Sequence, residues 1–260
     1  MAATSWLIGS RPDLAEQTLT IDGDEQTVTA GSRYLYASSS ALSLLARVEA
    51  AMDDAGVAGA AAVLTRSRKV KLSAAGVFTI DWDGGEDLRD LLGFNADLAG
   101  SASYVATNIS PLLWSPGKTE TPEEAPLGQL GHRIENAFFS DSPFDGTTSV
   151  VIHGARILNT FSWGHVPMGR VQAAGEAGEW ATWWREVAVV GSRFFMWRAN
   201  EDATGASTAT VSLTQPLGPY VLRGPSRGSP DWDFKRSRGL QLVDRRADLS
   251  LQVQVVPEFT

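Results

Sequence analysis

No cysteine occurs anywhere in this chain. That excludes disulfides, thiolate nucleophiles and zinc sites built on sulfur. No apolar run approaches the roughly 20 residues a membrane-spanning helix needs, so no span is expected. The first residues, MAATSWLIGSRPDLAEQ, show no basic segment followed by a long apolar one, so no secretory leader is expected either. Charged residues make up only 20% of the sequence. The signatures of several chemistries are missing as well. There is no H-E-x-x-H, no G-x-G-x-x-G and no complete G-x-x-x-x-G-K-[ST] motif. His132, His153 and His165 stand 21 and 12 residues apart, which fits no helical i,i+3 or i,i+4 metal pair. No enzymatic activity, cofactor or metal is expected.

The charge that is present is unevenly placed. Residues 1–130 hold 9 Lys/Arg against 17 Asp/Glu, while residues 131–260 hold 13 against 13. The whole formal net charge of −8 therefore sits in the first half. An acidic half lacks the basic footprint that phosphate neutralisation requires, so nucleic acid is not an expected partner. Such charge keeps a protein soluble and can steer a basic partner toward it.

A hydrophobic content of 43% in 260 residues is ample for a core, and the length suits one large domain or two small ones. The clearest boundary is residues 115–128, SPGKTETPEEAPLG, whose proline, glycine and glutamate leave little to bury. It divides an acidic helix-and-hairpin module, 1–114, from a β-rich domain, 129–260. The division implies that the second half folds when residues 1–110 are removed. In the first half, residues 17–21 and 26–29 flank Asp22-Gly23-Asp24, which is hairpin chemistry. A helix over about 40–54 follows, with Ser38 to Ser40 able to cap it and Gly56 able to end it. Residues 70–94 read as a hairpin, turning at Ala75-Gly76, that runs into a short helical turn closing on Leu91-Leu92-Gly93-Phe94. Arg66, Arg68, Lys69 and Lys71 crowd its entrance and read as a solvated edge that discourages edge-to-edge pairing.

The second half is mostly strand and turn, with β-branched and apolar residues concentrated at 149–152, 156–161, 193–197, 208–213 and 240–256. Residues 200–230 read as loop. One helix is expected at 179–188, where Trp180, Trp183, Trp184 and Val187 share a face. The fold class is thus α+β and β-rich: a small helix-plus-hairpin N-terminal module, then a mainly antiparallel β domain with one Trp-rich helix.

Two clusters invite a function. Asp81, Asp83, Glu86, Asp87 and Asp90 surround Gly84-Gly85 and begin like a calcium loop, but the later spacing fails; a solvated turn before a helix explains them. Trp180, Trp183, Trp184, Arg185, Trp197 and Trp232 form the second. Six of nine tryptophans and 12 of the 13 basic residues as arginine lie in the second half. Trp and Arg are enriched where subunits meet, so these six residues are the candidate assembly interface. Stacking on a carbohydrate is the competing use of such rings.

The stretch KVKLSAAGVFTIDWDGGEDLRDLLGF with the Ser/Tyr segment 101–104 resembles modules of virion structural proteins of tailed bacteriophages. The step WATWWREVAVVGSRFFMWR, the later YVLRG and the closing ADLSLQVQVV resemble minor-tail and distal-tail proteins of the same phages. The resemblance implies a non-enzymatic tail or tail-tip protein that acts by oligomeric assembly. Its partners would be other copies of itself and neighbouring virion proteins, and it would be made in the host cytoplasm and carried in the virion tail. A carbohydrate-binding host-adhesion module and a head–tail connector or capsid-associated protein are the alternatives.

Overall fold

A computed structural model describes residues 3–114, 128–141, 149–167, 183–188, 190–201, 210–213, 215–222, 231–234 and 246–256. Its first-half strands are β1 (Ala3–Gly9), β2 (Asp13–Leu14), β3 (Gln17–Ile21), β4 (Asp24–Val28), β5 (Gly31–Ser32), β6 (Ala61–Leu64), β7 (Val70–Asp81), β8 (Leu98–Val105) and β9 (Leu113–Trp114). Helix α1 (Leu44–Asp54) precedes β6 and α2 (Glu86–Leu92) precedes β8. The second half holds β10 (Gly128–Asp141), β11 (Ser149–Pro167), β12 (Phe194–Glu201), β13 (Ser212–Leu213), β14 (Leu217–Leu222), β15 (Asp231–Phe234) and β16 (Arg246–Val255).

Nine of these strands make one sheet, in the order β10-β11-β16-β14-β12-β1-β9, with β13 also on β12 and β15 also on β16. Five make a second sheet, in which β3 and β6 follow each other along one edge of β7 and β8 takes the other. The pairings are antiparallel. With two α-helices beside them the fold is α+β and β-rich, the class the sequence implies.

Local chemistry accounts for most elements. Asp22 and Gly23, at φ of 50° and 90°, form the two-residue turn that twists with its strands and sets the β3–β4 register. Helix α1 begins at Leu44 because Ser43, not Ser38 to Ser40, caps it: the Ser43 Oγ accepts the Ala46 N–H at 3.2 Å. Leu44, Leu45, Val48, Ala51 and Met52 bury the helix face that their spacing marks out.

Residues 70–81 are not a hairpin. They form the single strand β7, and Ala75-Gly76 sit in a bulge rather than a turn. The break in the ladder is bridged by side chain and loop. The Tyr104 hydroxyl accepts from the Ser101 N–H at 2.7 Å and donates to the Phe78 carbonyl at 2.8 Å. On the other edge the Ala75 N–H reaches the Ala58 carbonyl at 2.8 Å. Partners on both edges satisfy the backbone there, so the chain continues straight where its local composition suggests a reversal.

The basic loop after β6 is not a solvated edge either. Arg66 and Arg68 are buried, at 6% and 3% exposure. Thr65 bridges to Thr210, and the Val211 N–H donates to the Leu64 carbonyl at 2.8 Å, so a segment of the second half covers the loop. The segment 200–230, expected to be loop, contributes β13 and β14.

The larger sheet is a wall between two cores. Along β12, Phe194 and Met196 are buried in one core while Phe195 and Trp197 are buried in the other. Along β1, Ile8 joins the first pair and Leu7 the second. Both strands alternate with a period of two, yet neither face is wet, so β12 reads as a continuous apolar run. The core holding Leu7, Phe195 and Trp197 also holds the α1 face and the inner side of the five-stranded sheet. The linker at 115–127 lies outside the described residues, and Gly128 opens β10. Strand pairing crosses the compositional boundary: β1 runs beside β12 over seven residue pairs, from Ala3 opposite Glu201 to Gly9 opposite Phe195.

Candidate functional site

The six residues singled out from sequence do not converge on one surface. Trp197 is fully buried on β12; its Nε1 donates to the Tyr36 carbonyl at 3.0 Å, and its ring meets Tyr34 edge-on at 6.1 Å. The approach is so close that a Cβ on Gly9 would fall 2.0 Å from the Trp197 ring. Trp183 is fully buried in the other core, edge-on to Phe194 at 5.2 Å. The sheet thus separates Trp183 from Trp197, and neither ring is presented to a neighbour. Burial of Trp183 also removes it as a platform for a sugar.

Trp184 differs. It is half-buried, 6.1 Å from Trp183, and packs at the margin of that core. The segment Trp184–Ala188 is a π-helical turn rather than a continuation of an α-helix. Trp183 and Ala188, five residues apart, are both buried, which is the spacing an i→i+5 turn brings together. The apolar face read at α-helical spacing therefore shifts by one residue. Trp232 stands on β15 opposite Leu249. Trp180 and the side chains of Arg185 and Trp232 lie outside the described residues.

At the acidic turn the carboxylates serve the backbone. Asp81 Oδ1 accepts the Asp83 N–H at 3.0 Å, and the Asp97 carboxylate accepts the Trp82 N–H at 3.2 Å. Glu86 and Asp87 occupy the first turn of α2, where negative charge is favoured. The Arg89–Asp90 ion pair, at 2.9 Å, is largely solvated and contributes little. Among the described residues no group of three or more His, Asp or Glu is placed to hold a metal ion. The three histidines fall on the β10–β11 hairpin: His132 opposite Asn159, His153 in the register shift between Ile152 and Gly154, and His165 in the shift between Trp163 and Val166.

Among the described residues two groups have displaced protonation equilibria, and both are structural. Burial pushes the Tyr220 hydroxyl above its ordinary pKa, partly offset by the hydrogen bond that Asn159 Nδ2 donates to it at 3.1 Å. Burial, and secondarily the charge of Arg47, lowers the pKa of Arg33. Arg33 spends its guanidinium on the chain before it, donating to the Thr29 carbonyl, to Thr29 Oγ1 at 3.0 Å and to the Ala30 carbonyl at 3.3 Å.

The feature that sequence reading missed is the β10–β11 hairpin. Its arms run 14 and 19 residues. β16 pairs with β11 only from Leu158 onward. Among the described residues, Ser149 to Ile157 therefore pair with β10 alone, and β10 pairs with β11 alone. Roughly eight residues of two-stranded ribbon, about 26 Å at strand rise, extend past the rest of the sheet. The sequence signal was available in the even spacing of Leu130, Ile134 and Phe138, but nothing local distinguishes a strand inside a sheet from one at its rim.

No protein-family model matches this chain. No curated protein matches it.

Proposed function

We propose that this chain is a non-enzymatic structural component of a tailed-phage virion, a tail or tail-tip protein that works by assembling into a symmetric oligomer. The observation that carries the assembly part is the β10–β11 ribbon. A two-stranded ribbon is marginal in water on its own, and backbone edges that no other described strand pairs are a template for another strand. The virion setting rests on the resemblance of residues 70–104 to virion structural proteins of tailed phages and of residues 181–256 to their minor-tail and distal-tail proteins. Neighbouring virion proteins are the remaining partners in this reading, and Trp184 is the one described ring of the six with area left for them.

Native mass spectrometry with negative-stain imaging tests the proposal. A ring, tube or other closed assembly of defined copy number is the expected result. A chain that stays monomeric at every concentration, and that does not join a tail when expressed with its neighbouring virion genes, would overturn it. Trp184→Ala should weaken the assembly while leaving a folded chain, because that side chain is only half-buried. An intact oligomer in that variant would remove Trp184 from the interface.

A further inference from the structure

We propose that two copies of this chain join edge to edge through β10, antiparallel, about a two-fold axis that passes through Ile134. The inference deepens the assembly reading above, and rests on it for self-association as such.

The two rims of the nine-stranded sheet are very unequal. One ends in β9, which offers the two residues Leu113 and Trp114; the other ends in the 14 residues of β10. Joining unlike rims head to tail would hold only two residues of strand. Joining β10 to itself uses nearly all of it, and an isologous contact closes without further copies. β10 also lacks the usual devices that block edge pairing: it contains no proline and no lysine, and its only Arg, Asp or Glu residues are Arg133, Glu135 and Asp141.

Geometry then limits the register. A strand paired antiparallel with its own copy about a two-fold axis must place one residue opposite itself. Near the middle of β10 the choices are Arg133, Ile134 and Glu135. Centring on Arg133 sets arginine opposite arginine, and centring on Glu135 sets glutamate opposite glutamate; like charges directly opposed are destabilising. Centring on Ile134 sets Arg133 opposite Glu135 of the second copy, and the symmetry makes that pairing twice. The same register sets Leu130 opposite Phe138 of the second copy, also twice. It aligns residues 128–140, all but one of the 14.

The face supports this choice. Leu130, Ile134 and Phe138 share one side of the strand by its period of two. Leu130 stands opposite Phe161, which is buried in the core that holds Trp183. By position along the strand, Leu130, Ile134 and Phe138 continue that face on β10, and in this register they stand opposite the same three positions of the second copy.

The absence of cysteine makes the test clean. Ile134→Cys would carry the only thiol of the chain, opposite its own copy, and should oxidise to a covalent dimer. Leu130→Cys alone should not, but Leu130→Cys mixed with Phe138→Cys should. Val77→Cys, exposed at 67% on β7, is the control for random collision. In parallel, Arg133→Glu or Glu135→Arg should weaken self-association about tenfold in sedimentation, and the double reversal should restore it. Unchanged thermal melting would show that each variant folds. Ile134→Cys cross-linking no faster than Val77→Cys, with reversals that change nothing, would overturn the inference. If copies still assemble in that case, the assembly reading stands and only this interface is lost. A wild-type chain that is monomeric throughout would sink this interface, and the assembly reading with it only if the chain also fails to join a tail.

Discussion

Gly93 shows how much one residue can hold in this fold. It ends α2 with φ of 86°, the left-handed turn that lets the Phe94 N–H reach the Arg89 carbonyl at 3.1 Å. Phe94 is thereby laid on Trp82, ring centroids 5.9 Å apart and nearly parallel. A Cβ at position 93 would also sit 2.4 Å from the Asn108 carbonyl oxygen. Gly93→Ala should therefore cost about 1–3 kcal/mol from the backbone conformation alone, with more from the clash. Urea unfolding measures it, and an unchanged midpoint would show that the turn is not needed. The Leu-Leu-Gly-Phe motif is thus explained by packing: Leu88 and Leu92 are buried, the glycine turns the chain and Phe94 closes over the core.

Among the elements, β12 and its neighbour β14 carry the clearest consequences. Tyr220 on β14 lies opposite Phe194 and Val255, in the core on the Trp183 side. Its ionisation is raised above the ordinary value of about 10 by burial. The unfolded chain ionises first, so the contribution of Tyr220 to stability is complete below pH about 10 and is lost as pH rises through the higher native value. Tyr220→Phe should be less stable than wild type at pH 8, because the hydrogen bond that Asn159 Nδ2 donates to the phenol is lost, at about 1 kcal/mol. The gap should narrow at pH 11, since the variant has no phenol to ionise. Denaturant titrations at the two pH values check this, and a gap that widens would mean that Tyr220 is not the group responsible. At Trp184–Ala188 the π-helical turn shows why periodicity misleads over short spans: one turn of a different helix moves every later residue to another face.

The whole molecule is organised by the sheet that both halves share. Leu7 and Ile8 of β1 cover opposite faces beside β12, and Phe195 and Trp197 are buried by the first half. A chain that begins after residue 110 would lose β1, α1 and the second sheet, and would expose those two aromatic rings. Such a fragment should be protease-sensitive and bind a hydrophobic dye, whereas the compositional boundary alone implies a folded remainder. Limited proteolysis decides; a resistant, cooperative fragment would show that the second core suffices. Burying an aromatic side chain of this size is worth about 3–5 kcal/mol in truncation, so two of them are a large share of a domain's net stability.

What the sequence determined by itself was whatever depends on neighbours in the chain. Strand content, the Asp22-Gly23 turn, the α1 face and the glycine at the end of α2 follow from propensity, period and turn chemistry over a few residues. Tertiary structure decided everything that depends on who lies alongside. Ala75-Gly76 became a bulge because Tyr104 and Ala58 supply hydrogen bonds from elsewhere. Arg66 and Arg68 became buried because residues 210–211 cover them. Trp183 and Trp197 were parted because a sheet stands between them. Burial and pairing are properties of the partner as much as of the residue, and a local pattern contains only one of the two.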